Sequence, residues 1–253
     1  MPRDLIDLLW RDHPDAPRGG ARGPRGRATT SDVVDAAVAL ADAEGLTAVT
    51  VRRVATEVGV APMSVYTYVG SHEDLLVLMA DAVLTADAAA PTLTESYAAG
   101  PWRERVRHVA EANLALGTRH PWLLDVTDQR LALGPGAIAK YDAELAALEP
   151  LGLGDVDRDA ALTFVLDFAW SAARVRRGAA SAERMAEEWA ASGPRLAAYL
   201  GRQHPLAQRV GAAAGQAQQA AYSPERAWRF GLARVLGGLA ALAPADDGAP
   251  DGR

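Results

Sequence analysis

From residue 31 onward, apolar residues recur three and four positions apart, and alternating Val/Thr-rich stretches are nearly absent. That spacing is the helical period. A strand needs its apolar residues every second position, so a chain patterned this way has little from which to build a sheet. The expected fold class is all-α, with about a dozen helices. Breakers punctuate the pattern at Gly45, Gly59, Gly70, Gly134-Pro135-Gly136, Gly152, Gly154, Gly178 and Ser192-Gly193-Pro194. No internal repeat is present.

The first 90 residues carry the clearest boundary signals. Leu5, Leu8, Leu9 and Trp10 can form one short amphipathic turn, which Pro14 and Pro17 end. A first full helix is predicted from near Ser31, with Thr30 or Ser31 as its cap and Asp32 and Asp35 in its positive first turn. Its apolar face is Val33, Val34, Ala37, Leu40 and Ala41, and Gly45 stops it. Thr50 caps a second helix over Val51–Val58, which Gly59 breaks. A third covers Pro62–Val69, with proline at the position where no N–H is missed. Ser71 and Asp74 resemble a capping box for a fourth, Leu75–Ala90. A small-residue connector from Pro91 to Pro101 marks a domain boundary. Further helices are predicted near 102–118, 121–127, 136–149, 156–177, 181–191, 194–200, 204–220 and 224–242.

Charge narrows the possible partners. The 253 residues hold 26 Lys+Arg against 32 Asp+Glu, a formal net charge of -6. An acidic total argues against nucleic acid, whose phosphates need local positive charge. The distribution argues otherwise: residues 16–30 carry Arg18, Arg22, Arg25 and Arg27 with no acid, whereas residues 31–80 carry seven acids against Arg52 and Arg53. The zero cysteine count removes disulfides, thiolate nucleophiles and Cys-ligated metals. No apolar run is long enough to span a membrane, and the N-terminus lacks the pattern of a secretory signal, so the expected location is the cytoplasm. Lys140 is the only lysine and Asn113 the only asparagine, a bias that suggests a GC-rich genome.

Ala55 and Gly59 stand four apart where one helix can cross another closely and a tight turn can follow. By themselves these two residues fit any helical hairpin. The wider pattern is more specific: Ala43-Glu44-Gly45-Leu46, Thr50-Val51-Arg52-Arg53-Val54-Ala55, Gly59-Val60, Ser64-Val65-Tyr66 followed by Tyr68-Val69, and Glu73-Asp74-Leu75-Leu76. From Val33 to Val83 the chain resembles the DNA-binding domain of tetracycline-repressor-like (TetR family) regulators. The C-terminal part resembles the family more loosely, through Arg119-His120-Pro121-Trp122-Leu123 and the helical layout.

The resemblance implies a three-helix helix-turn-helix domain followed by a larger helical ligand-binding and dimerisation domain. It implies a homodimer that represses transcription on a palindromic double-stranded operator and is released by a small molecule, apolar or aromatic in character. The domains are then a flexible Arg/Gly-rich arm over 1–30, the DNA-binding domain over 31–90, the sensor domain over 91–243 and a disordered tail over 244–253. DNA contacts carried over from the family fall on Arg52, Ser64, Tyr66, Thr67, Tyr68 and His72. The family usually has a lysine where His72 stands, which makes a phosphate contact there weaker or pH-dependent. The third helix bears no charge, so long-range attraction to DNA is assigned to Arg18, Arg22, Arg25 and Arg27, lying in the minor groove as flexible arms can. The competing account of that segment is a merely disordered leader.

The segment Asp157–Arg177 is apolar on more than one face, so it must be covered on both sides. In the family, the corresponding helix is shared between a partner subunit and the ligand cavity. With the last helix, over Pro224–Leu242, it is expected to form a four-helix interface between two subunits. Expected ligand contacts are Asp167, an acid set between Leu166 and Phe168, together with Trp122, Asp128, Phe164 and Phe168. Asp167 could instead pair with an arginine. No catalytic reading gains support: the five histidines lack metal spacing, and no serine sits in a Gly-x-Ser-x-Gly context. No metal and no cofactor are expected. The alternative to a sensor is a ligand-blind helical DNA-binding or architectural protein.

Overall fold

The computed structural model describes residues 4–16, 28–90, 96–201, 203–218 and 222–242. Every regular element among them is a helix, α or 3-10. In chain order the α-helices are α1 (Leu5–Leu9), α2 (Thr30–Glu44), α3 (Val51–Val58), α4 (Val65–Val69), α5 (His72–Ala88), α6 (Trp102–Arg119), α7 (Pro135–Leu148), α8 (Asp155–Arg177), α9 (Ala179–Leu200), α10 (Pro205–Gln218) and α11 (Pro224–Ala240). Short 3-10 turns lie at Pro62–Ser64, Pro121–Asp125 and Gln129–Leu133. Among the described residues, no helix is long and apolar enough to cross a membrane.

The local signals act largely as their chemistry dictates. The cap of α2 is Thr29, one residue earlier than expected. Its side chain accepts from the Asp32 N–H while Asp32 accepts from the Thr29 N–H, a reciprocal capping box. Thr50 caps α3 and Ser71 caps α5. One breaker fails: α9 runs through Pro194 in spite of the helix hydrogen bond that a proline cannot donate.

Two apolar cores hold the molecule. The first joins α2 to α5 through Val33, Val54, Val65, Leu75 and Leu78, and also takes in Leu116 of α6 and Trp122. The second joins α6, α7, α8 and α11 through Val109, Leu148, Val165, Leu232 and Val235. Trp170 packs against both. Two devices fasten the first five helices to the elements that follow them. Asp42 of α2 accepts from Trp122 Nε1 at 2.7 Å, and the same oxygen is 2.7 Å from His120 Nδ1. Asp81 of α5 caps α7, accepting the Ala137 N–H at 3.0 Å. A Cβ on Gly134 or Gly136 would collide with Asp81, so this glycine pair serves close helix approach as well as a loop.

Within the expected flexible arm of residues 1–30, α1 is instead part of the folded body. Leu5, Leu8 and Leu9 of α1 are buried in the first core. Trp10 Nε1 donates to the Leu133 carbonyl at 2.8 Å, and Arg11 donates to Ser31 Oγ at 3.1 Å. Burying three leucines is worth about 1.5–3 kcal/mol each, enough to hold a helix of a single turn and a half against its ordering entropy. Arg18, Arg22, Arg25 and Arg27 lie outside the described residues, as do the connector residues 91–95 and the tail from residue 243.

Candidate nucleic-acid interface and internal cavity

α3 and α4 form the helix-turn-helix, and consecutive residues set its geometry. Gly59 ends α3 in the left-handed region, with φ 75°, and the Val60 N–H closes the turn onto the Ala55 carbonyl at 2.9 Å. Ala61 is extended, and Pro62 opens the 3-10 turn that leads into α4. Val65 and Val69 point into the core, and Thr30 Oγ1 donates to the Tyr68 carbonyl at 2.9 Å, which fixes α4 against α2. The opposite face is left to solvent. Met63 is 75% exposed, and Tyr66 and Thr67 are also exposed.

The six carried-over contact residues are not equivalent. Arg52 is exposed and in no ion pair among the described residues, so its guanidinium is available to phosphate. Its neighbour Arg53 is held by Glu44 through two hydrogen bonds, at 2.7 and 2.5 Å. Those bonds hold the Glu44 carboxyl below its usual range and raise the Arg53 guanidinium. Tyr66 is exposed, with a hydroxyl that has no partner among the described residues, Ser64 is half-buried, and His72 is the first residue of α5. The Thr67 hydroxyl donates to the Ser64 carbonyl at 2.6 Å, which leaves its methyl group as the part free for an outward contact. Tyr68 is half-buried against the first core, so its ring is a packing element with limited reach outward.

Between α5, α6, α7 and α8 lies a cavity of about 340 Å³. Leu84, Leu124, Leu131, Leu166 and Trp170 make apolar walls, and Asn113, Lys140, Glu144 and Arg174 bring polar groups to it. Size and lining fall in the range of small-molecule sites. Lys140 and Glu144 are buried and paired with each other, and Asn113 Nδ2 donates to Glu144 Oε1 at 2.6 Å. Asp87 of α5 lies 3.9 Å from Lys140 Nζ and 3.3 Å from Arg119, so the network reaches the helix that leads into the helix-turn-helix. Burial beside Glu144 and Asp87 pushes the Tyr97 hydroxyl well above its usual pKa. Burial likewise raises Asp81, against the opposing effect of the N–H groups at the start of α7. Among the described residues, no three His, Asp or Glu side chains gather as a metal would require.

None of the five expected ligand contacts lines this cavity, and the reasons are specific. Asp128 caps the turn Gln129–Leu133 and binds Arg130, which holds its carboxyl below the usual range. Trp122 is buried in the first core with its indole N–H on Asp42. Phe168 stacks on Trp228 at 4.9 Å, seated where a Cβ on Gly231 would be. Phe164 is 53% exposed. Asp167 is exposed too, so its cost among apolar neighbours never arises; among the described residues it pairs with no arginine. The lining residues that sequence reasoning missed include Asn113 and Lys140. Their singularity was a usable signal: where arginine is the rule, the one lysine, set four residues before a glutamate, marks a site that arginine does not fill.

Comparison with known proteins agrees with this architecture. Residues 33–79 match the family model described as bacterial regulatory proteins, tetR family, and residues 96–243 match the tetracyclin repressor-like C-terminal domain. The chain belongs to the TetR family. It is 36% identical over 245 residues to the HTH-type transcriptional repressor DrrR1 of Streptomyces coeruleorubidus, covering 94% of this chain and 85% of that protein. An HTH-type transcriptional regulator of Saccharopolyspora erythraea is 33% identical over 131 residues, about half of each chain (51% and 52%). The crystal structure of the Streptomyces coelicolor TetR family protein ActR in complex with (S)-DNPA has the same fold, with TM-score 0.66 and 24% identity over 86% of this chain and 100% of that one. As a TetR-family member the chain is a helix-turn-helix regulator of transcription and not an enzyme.

Proposed function

We propose that this TetR-family protein is a homodimeric repressor that holds a palindromic operator through α4 of each subunit and leaves it when a small, largely apolar molecule enters the cavity. The observation that carries this reading is where the cavity lies. Leu84 of α5 lines it, and the N-terminus of α5 bears His72, directly after the helix-turn-helix. A ligand that prefers one setting of α5 therefore shifts the spacing of the two recognition helices, which must match successive major grooves about 34–36 Å apart. ActR, solved in complex with (S)-DNPA and with actinorhodin, is a protein of the same fold that binds small molecules.

Dimerisation through α8 and α11 is supported by the apolar residues they expose. Phe230 is 65% exposed, and Phe164 and Val175 are exposed as well. Such side chains, on the two helices expected to form the interface, suit a partner subunit better than water. Glutamate at Phe164 and Phe230 together is expected to give monomers in sedimentation and to abolish operator binding. Arg52, Ser64, Tyr66 and Thr67 would contact the operator directly. Arg18, Arg22, Arg25 and Arg27 would supply the attraction that the acidic domain cannot.

The test is operator binding by fluorescence anisotropy, using DNA that flanks the protein's own coding sequence, with and without compounds that raise its melting temperature. A drop in affinity of about tenfold or more is expected from a ligand with differential affinity for the two states. Compounds that bind while leaving operator affinity unchanged would instead favour the ligand-blind DNA-binding protein.

A further inference from the structure

The polar floor of the cavity specifies the chemistry of its ligand. Asn113 is 1% exposed. Its Nδ2 donates to the Val109 carbonyl at 2.9 Å and to Glu144 Oε1 at 2.6 Å. Both partners are acceptors, so turning the amide over would set oxygen against oxygen. Oδ1 is thereby fixed as an acceptor, and it is buried without a hydrogen-bond partner among the described residues. A buried acceptor in that condition carries a desolvation cost that a donor would remove.

Beside it, Lys140 offers three N–H donors. One is engaged by Glu144, and Asp87 Oδ2, at 3.9 Å, lies beyond hydrogen-bond length. Asn113 and Lys140 meet at the same Glu144 oxygen, so the free acceptor and the free donors belong to one small patch of the floor. The walls around the patch, among them Leu124, Leu166 and Trp170, accept only apolar surface.

This patch discriminates among ligand classes. A bare hydrocarbon leaves Oδ1 and the ammonium unpaired. A cationic end meets Lys140, and Arg174 too, which has no carboxylate partner among the described residues. An anionic end satisfies Lys140 but sits against Oδ1 and Glu144. An uncharged end with a hydroxyl next to a second oxygen satisfies both groups. We infer that the cavity binds a largely apolar molecule whose polar end is a hydroxyl donor beside an oxygen acceptor, the hydroxyl donating to Asn113 Oδ1 and the second oxygen accepting from Lys140 Nζ. This inference rests on the effector-cavity reading above.

A matched pair of probes tests it on the full-length protein. In 2,3-dihydroxynaphthalene each hydroxyl can donate and accept; in 2,3-dimethoxynaphthalene the same oxygens only accept. Calorimetric titration is expected to show the diol binding about tenfold more tightly, as the pairing of one buried acceptor warrants. Asn113→Leu, similar in shape and unable to accept, is expected to bring the two probes within about twofold of each other. Its melting curve and operator binding report whether it has folded. If it has not, Asn113→Ala takes its place, and the probe pair on the unsubstituted protein decides independently. Equal binding of the two probes overturns the inference and leaves the effector-cavity reading standing. Binding of neither probe, nor of any ring compound in a wider panel, overturns both.

Discussion

Around α4 the groups left to solvent, and proposed to face the operator, are sparsely charged: Met63, Tyr66 and Thr67, with Arg52 beside them. At the cavity floor Lys140 and Glu144 are buried and paired, and buried Asp87 lies behind them, 3.9 Å from Lys140 Nζ. The two regions therefore respond to different variables. Contacts at an exposed phosphate-binding surface weaken as salt rises, through screening and counterion release. A buried ion network barely senses salt but reacts strongly to the loss of one member, because the partner left behind cannot be resolvated. Operator affinity and ligand affinity should thus be separable by ionic strength alone.

The largest effect that bears on this contrast concerns α1, which belongs to the first core although it sits in the charged leader. Leu8→Ala is expected to cost about 3 kcal/mol of stability, read as a lower denaturant midpoint. A leader independent of the core would show no change. Next comes the arginine segment. Replacing Arg18, Arg22, Arg25 and Arg27 together by alanine, with α1 left intact, should weaken operator binding by about a hundredfold and lower the slope of log K against log salt by about three to four. An unchanged slope would return the electrostatic role to the folded domain. The melting temperature and probe binding should stay as they were, and a loss of either would erase the separation between the two regions.

Gly59→Ala is expected to destabilise by about 1–2 kcal/mol, since its φ of 75° disfavours any Cβ. The loss should appear in operator binding and melting while the cavity keeps its ligand preference. The smallest effect is the pH dependence at Asp81. Its folded pKa is raised by burial, so the folded state binds this proton more tightly than the unfolded state. Its contribution to stability is present below the unfolded pKa and is lost as pH rises through the folded one. Wild type should therefore lose ground to Asp81→Asn as pH rises from about 3.5 toward 7. A gap in melting temperature that does not move with pH would show that the cap on α7 works independently of protonation.

How much of this was legible in the sequence follows from the range over which each geometry is set. Thr50, Gly59, Pro62 and Ser71 act on backbone within a few residues of themselves, so α3, the turn and the start of α5 could be read from local chemistry. The cavity depends on Asn113 meeting Glu144 across 31 residues and on α5 lying along α7, relations that no periodicity encodes. Asp167 looked functional because an acid between Leu166 and Phe168 should be costly, but it faces solvent; Asp128, the other acid among the expected contacts, caps a turn. α1 was undervalued because its leucines stand beside a Gly/Pro/Arg-rich stretch, and a helix that short owes its stability to tertiary burial rather than to propensity.

Trp170 packs against both cores while lining the cavity, and a Cβ on Gly117 would press against its ring. One ring thus belongs to two folding units, so neither core can melt without exposing part of the other's surface. The two halves of this regulator are therefore poor candidates for free recombination. A chimera that joins this helix-turn-helix to a relative's sensor domain must carry an equally broad side chain at position 170, facing an equally small residue at position 117, or it will inherit a gap where the halves meet.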